Sequence, residues 1–149
     1  MDLTTSASIL IDAPASVIFD ILADPRQHHR IDGSGTVQAV TTGPDRLSEG
    51  ARFGMEMKRG LGYKVTNTVV EFEEDALIAW RHMGQHRWRY ELSPEAGKTR
   101  VTETWDGTRY SGVPRLFFKL MSLKGTQRSI EETLRTLKAV AESDATLRA

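Results

Sequence analysis

Apolar and polar positions alternate in three different ways along the chain. Residues 6 to 12 (Ser-Ala-Ser-Ile-Leu-Ile-Asp) make a short apolar run, and Pro14 follows where a helix accepts Pro in its first turn. Val17, Ile18, Ile21 and Leu22 then share one helical stripe, which Asp24-Pro25 ends. This spacing predicts a strand and then a helix over about 14–23. Arg26 to Ile31 predicts one irregular helical turn before the Gly33-Ser34-Gly35 break. From Thr36 the pattern changes to runs separated by turn chemistry at Gly43-Pro44-Asp45, Gly60-Leu61-Gly62, Glu74-Asp75, Gly84-Gln85 and Pro94 to Lys98. Strands are expected at about 36–42, 51–59, 63–73, 76–83, 86–93 and 99–107. With the first strand they form a seven-stranded, strongly twisted antiparallel meander.

Period-two alternation sorts the strand faces. Trp88, Tyr90 and Leu92 oppose Arg87, Arg89 and Glu91, and Phe53, Met55 and Met57 oppose Arg52, Glu56 and Lys58. Arg100, Thr102, Thr104 and Asp106 take the solvated phase of the last strand, which sends Val101, Glu103 and Trp105 inward. Glu103 is the odd residue on that face. Asn67 shares a phase with Tyr63, Val65 and Val69, while Thr68, Val70 and Phe72 offer the opposite one. From about Pro114 to Glu142, Leu116, Leu120, Leu123, Gln127, Ile130, Leu134, Leu137 and Ala141 predict one long amphipathic helix. A bend is expected at Gly125, with a frayed tail over 143–149. A curved sheet with one apolar face needs a cover, and this helix is the only element long enough, so the class is α+β.

Composition narrows the function classes. The 149 residues suit one domain (1–149), and 39% are hydrophobic. Twenty Lys and Arg balance twenty Asp and Glu, which disfavours a nucleic-acid partner. The balance conceals a split, with 7 basic and 12 acidic residues in 1–75 and 13 and 8 in 76–149. The absence of Cys removes thiolate chemistry and zinc–thiolate sites. With neither a leader-like start nor an apolar run of about 20 residues, the expectation is a soluble cytoplasmic protein without stable membrane insertion. Gly33-Ser34-Gly35 lacks the rest of a nucleotide-binding fingerprint, and no Gly-x-Ser-x-Gly elbow occurs.

The element order resembles the helix-grip fold, and particular segments carry the likeness: Ile9-Leu10-Ile11-Asp12-Ala13-Pro14 with Val17-Ile18-Phe19, Asp24-Pro25, Val69-Val70-Glu71-Phe72, Ile78-Ala79-Trp80-Arg81, and Gly97 to Thr104. On these the chain resembles the START-like superfamily, in its SRPBCC branch of polyketide cyclases/dehydratases and lipid-transport proteins. The resemblance implies a seven-stranded curved sheet wrapped around a long C-terminal helix, with two short helices between strands 1 and 2. It also implies a deep pocket between sheet and helix for a hydrophobic ligand.

Phe53, Met55, Met57, Trp80, Trp88, Tyr90 and Trp105, facing Phe117, Leu120 and Met121, suit a planar or variable apolar ligand. The same residues, closely packed, would also fill an ordinary core. Glu103 among tryptophans would have its pKa raised by desolvation, making it the first acid/base candidate, with Tyr90 second. Asn67 offers a donor and an acceptor. His28, His29 and Asp32 lie at the expected pocket edge, where a His near a carboxylate suggests proton transfer. His82 and His86 flank a turn as a possible metal pair without a third ligand, so neither metal nor cofactor is expected. Two functions stay open: binding a lipid, polyketide or aromatic metabolite, or cyclase/dehydratase-like catalysis using Glu103 or Tyr90. A monomer or weak homodimer is expected, with Leu47, Leu61 and Phe117-Phe118 as contact candidates.

Overall fold

The computed structural model describes residues 3–81, 84–121 and 123–149. Strand β1 (Thr4–Ile11) leads into α1 (Ala15–Leu22), a 3₁₀ turn (Pro25–Gln27) and α2 (His28–Ile31). Then follow β2 (Val37–Thr42), β3 (Arg52–Arg59), β4 (Leu61–Glu73), β5 (Leu77–Arg81), β6 (Arg87–Glu95) and β7 (Lys98–Asp106). Two helices close the chain, α3 (Gly112–Leu120) and α4 (Lys124–Arg148). All seven strands form one antiparallel sheet in the order β1-β7-β6-β5-β4-β3-β2, the helix-grip α+β architecture. Among the described residues, no helix is long and apolar enough to cross a membrane.

Local chemistry explains the entry segment. Asp24 stops α1 and caps the next turn, its Oδ1 accepting the Arg26 N–H at 3.0 Å with Pro25 in the first turn. The apolar stripe of α1 is buried through Val17, Ile18, Ile21 and Leu22, with Phe19 packed edge-on against Phe72 at 5.4 Å. Gly33 lets α2 meet α4 closely: a Cβ there would stand 2.5 Å from the Thr133 nitrogen and 2.6 Å from the Ser129 carbonyl oxygen.

The sheet settles the two phases of β4. Asn67 pairs with Phe53, and Val69 with Trp80, so Asn67 faces the concave side and is buried. A bulge between Val69 and Glu71 then shifts the register, so that Phe72 pairs with Ile78 and packs inward too. Both phases are thus used, one on each side of the bulge. At the far end Pro94 is part of β6 rather than a turn, and the reversal is the Ala96-Gly97 pair, with φ of 53° and 77°. Pro94 lies past the last β5 rung, Leu77–Glu91, where β6 has one neighbour and a missing N–H is tolerated.

The predicted single C-terminal helix is two. The break precedes Gly125, which sits inside α4 with open space around it. Phe118 gives the physical reason. It packs against Trp105 at 5.7 Å and Tyr110 at 4.5 Å, whereas Gln127 faces β1 and donates from Nε2 to the Ser6 carbonyl at 3.1 Å. Nine residues at about 100° each would put these side chains on opposite faces of one straight helix. Only a break lets both reach the sheet. Leu116 and Leu120 consequently leave the buried seam, which runs from Ile130 through Leu134 and Leu137 to Ala141. The tail is not frayed: α4 continues to Arg148, whose guanidinium pairs with Asp20 at 2.9 Å. Lys138 donates to the Leu10 carbonyl at 3.1 Å, and Glu142 accepts from the Asp12 N–H at 2.9 Å, fastening α4 along β1.

Candidate functional site

Register brings the polar centre together. Ile78, Tyr90 and Glu103 lie on one rung across β5, β6 and β7, and Trp80, Trp88 and Trp105 lie on the rung two residues nearer the β5–β6 turn. Across this face, Tyr90 donates its hydroxyl proton to Glu103 Oε1 at 2.8 Å. Glu103 is 3% exposed, and its Oε2 is the one fully buried side-chain oxygen or nitrogen left without a partner among the described residues.

The electrostatics follow from this burial. Desolvation pushes the Glu103 carboxyl up to about 8, the negative charge of Asp32 adds to the rise, and the Tyr90 hydrogen bond opposes it. Tyr90 is itself driven well above the ordinary phenol range, first by burial and then by the Glu103 charge. Near neutral pH, Glu103 is mainly a neutral acid with one oxygen bonded and the other facing the apolar interior.

An aromatic run extends from this pair. The Trp80 ring lies 5.5 Å from Tyr90, and His28 stacks on Trp80 at 4.8 Å with 17° between planes. Phe53 meets both His28 and Trp80 edge-on, at 5.5 and 5.8 Å. His28 is buried, and its Nε2–H donates to the Leu22 carbonyl at 2.8 Å, which assigns the proton of the neutral ring to Nε2. Burial lowers its pKa, so the ring is neutral at pH 7. Asp32 is fixed beside it as an acceptor of the Ser34 and Val37 N–H groups at 3.0 and 2.9 Å, while His29 is exposed.

The structure therefore gathers Phe53, Asn67, Trp80, Tyr90, Glu103 and His28 on the concave face. Met55 and Trp105 are buried there, and Met57 and Trp88 half-buried. Phe117 and Met121 do not join them: both are exposed, and Phe118 is the α3 residue that turns inward. Leu47 is also removed from the contact candidates. It is buried in the core, with its N–H bonded at 2.7 Å to the carbonyl of Ala23 just past α1. His82, half of the proposed metal pair, lies outside the described residues. His86 places Nδ1 2.8 Å from the Tyr110 hydroxyl and joins the Trp105–Phe118 cluster. Pattern reasoning missed Tyr110, which follows the last strand with no periodicity, and expected Phe118, out of phase with the helical seam, as an outward contact residue, whereas it packs inward on Trp105 and Tyr110.

Surface recesses among the described residues lie elsewhere. One of about 120 Å³ sits between β1 and α4 against Ala7, Ile9 and Leu134, and one of about 160 Å³ on the convex face is lined by Arg81, Arg87 and Arg109. Both fall below the roughly 300 Å³ at which small-molecule pockets usually begin, and neither touches Tyr90 or Glu103.

Comparisons with known proteins agree with the geometry. The chain is 40% identical over 140 residues to the uncharacterized protein Rv0088 of Mycobacterium tuberculosis, a match covering 89% of this chain and 61% of that protein. The chain thus spans about three fifths of that relative's length. Among solved structures it is similar to a protein from Arthrobacter aurescens, with a TM-score of 0.73, 18% identity, and 95% and 87% of the two chains covered. It is also similar to the AHSA1-like protein from Aeromonas hydrophila, with a TM-score of 0.65, 18% identity, and 93% and 94% covered. At such identities the likeness establishes the fold alone. The model of the family described as polyketide cyclase / dehydrase and lipid transport matches residues 2–142, and the chain belongs to that family.

Proposed function

We propose that the protein binds a largely apolar small molecule, a lipid, polyketide or aromatic metabolite, on the concave face between the sheet and its helical cover. The observation that carries this reading is Glu103, a buried and half-satisfied carboxyl set among aromatic side chains. An unpartnered buried oxygen costs about 1–3 kcal/mol, and a polar group on the ligand would relieve that cost. Protonated Glu103 can donate to a ligand carbonyl, and Tyr90 holds the carboxyl in place from the facing strand. Trp80, Trp88 and Met57, each half-buried, supply flat and deformable apolar contact. Helix α3 buries no residue fully and is held to the sheet mainly through Phe118, which packs against Trp105 and Tyr110. Native mass spectrometry of protein purified from its own host tests the reading. One retained small molecule per chain, released on denaturation, is expected. A bare chain, together with no affinity for any member of a broad lipid and aromatic panel, overturns it.

The same carboxyl favours a second reading, an acid/base catalyst for enolisation, aldol closure or water loss. A group with a pKa near 8 populates both protonation states around neutrality. Glu103→Gln then abolishes turnover of a cyclisable polyketide with affinity nearly unchanged. Equal turnover in both proteins removes Glu103 from any mechanism.

A further inference from the structure

We propose that α3 and the β3–β4 hairpin form a docking surface for an anionic lipid bilayer. The reading uses exposed surface alone and holds whether or not the concave face carries a ligand.

The first observation is an uncovered apolar stripe. Val113, Leu116, Phe117 and Leu120 follow three- and four-residue spacing on α3 and are all exposed, Val113 and Leu120 at 79%. Phe118 anchors the opposite side of the helix to Trp105 and Tyr110, which fixes the stripe outward. At the hairpin tip Leu61 is 88% exposed, and Tyr63 is exposed on the same strand. Contiguous exposed apolar groups on an ordered element mark an interaction site.

The second observation is position. Strand β4 pairs with β5 only as far as Thr68–Arg81, so residues 61 to 67 run on with β3 alone, a projection of roughly 23 Å at about 3.3 Å per residue. That projection leaves the end of the sheet where β7 finishes, at Arg87–Asp106, and where the Trp105–Phe118 contact holds α3. Hairpin tip and helix therefore belong to one end of the molecule.

The third observation identifies the occupant. Residues 107 to 130 contain Arg109, Arg115, Lys119, Lys124 and Arg128 and no Asp or Glu, and residues 57 to 66 contain Lys58, Arg59 and Lys64 and again no Asp or Glu. The basic surplus of the second half of the chain is thus concentrated in the segment that carries the apolar stripe. A second copy docking here would set like charge against like charge. A bilayer with anionic headgroups accepts the cations at its surface and the Leu, Val and Phe side chains at the acyl boundary. Nine residues of α3 are too few to span, so attachment is peripheral and reversible.

The test is co-sedimentation of the full chain with sucrose-loaded vesicles of phosphatidylcholine alone and with about 30% phosphatidylglycerol. Binding at least tenfold tighter to the anionic vesicles is expected, weakening as salt rises from about 0.1 to 0.5 M. Leu116→Ser with Leu120→Ser should lose about tenfold or more without altering the melting curve, because both side chains are exposed. Lys119→Gln should lose roughly fivefold, the equivalent of about 1 kcal/mol per surface cation. No binding by the wild-type chain, or equal binding to both vesicle types, overturns the proposal irrespective of the variants. So does a concentration-dependent dimer in analytical ultracentrifugation that the double Leu variant abolishes, which would make a second copy the occupant.

Discussion

The hydroxyl of Tyr90 donates to Glu103 Oε1 at 2.8 Å from the facing position on the neighbouring strand, and the other carboxyl oxygen of Glu103 meets no partner. The stability of the protein should report this arrangement through pH. Folding moves the Glu103 pKa from about 4.5 to about 8, so the folded state holds a proton that the unfolded chain releases between those values. The contribution is whole below about 4.5 and is lost as pH rises through 8, at a slope of up to about 1.4 kcal/mol per pH unit. His28, lowered by burial, acts in the opposite sense and removes stability as pH falls below the ordinary histidine range. Urea unfolding from pH 5 to 9 should therefore show Glu103→Gln flattening the alkaline decline. An identical decline in both proteins would mean that Glu103 is not buried as described.

Tyr90→Phe removes the only hydrogen bond that the buried carboxyl makes within the described protein. The expected cost is about 1–3 kcal/mol. Since that bond holds the Glu103 pKa down, its removal moves the pKa further up, which side-chain carboxyl NMR would follow directly. A downward or absent movement contradicts the geometry.

Gly33 and Gly125 should respond to Ala with opposite signs. At Gly33 the new methyl meets backbone atoms of α4, which cannot swing aside, and a loss of about 1–3 kcal/mol is expected. At Gly125, inside α4 with open space around it, Ala should add up to about 1 kcal/mol. Thermal or urea midpoints of the two variants check both. A loss at Gly125 would restore the bend that its sequence position suggests.

Alternation around Trp88, Tyr90 and Leu92, and around Val101, Glu103 and Trp105, is enough to put Tyr90 and Glu103 on one face, but the register that makes them neighbours is set by the Ala96-Gly97 reversal, which alternation does not specify. The sequence leaves the face of Asn67 open for a physical reason: a bulge two residues past it lets both phases of β4 face inward. The break between α3 and α4 hides behind a seam that is periodic through Leu116 and Leu120, because only the tertiary pull of Trp105 and Tyr110 on Phe118 opposes it. The burial of His28 has no local signal either, since a His-His pair on a short polar segment reads as surface until Trp80 is known to lie above the ring. The last turn of α4 owes its order to Arg148 reaching Asp20 across 128 residues, a contact no local pattern announces.

The most direct test of the ligand-binding account is NMR mapping with a neutral apolar probe, N-phenyl-1-naphthylamine. Titration should move the Met55 and Met57 methyl and the Trp80 and Trp88 indole resonances together and saturably, with the Glu103 carboxyl responding and Leu147, on the exposed end of α4, unmoved. Resonances on the concave face that stay fixed up to the solubility limit of the probe, or shifts confined to the β1–α4 recess at Ala7 and Arg135, would contradict it.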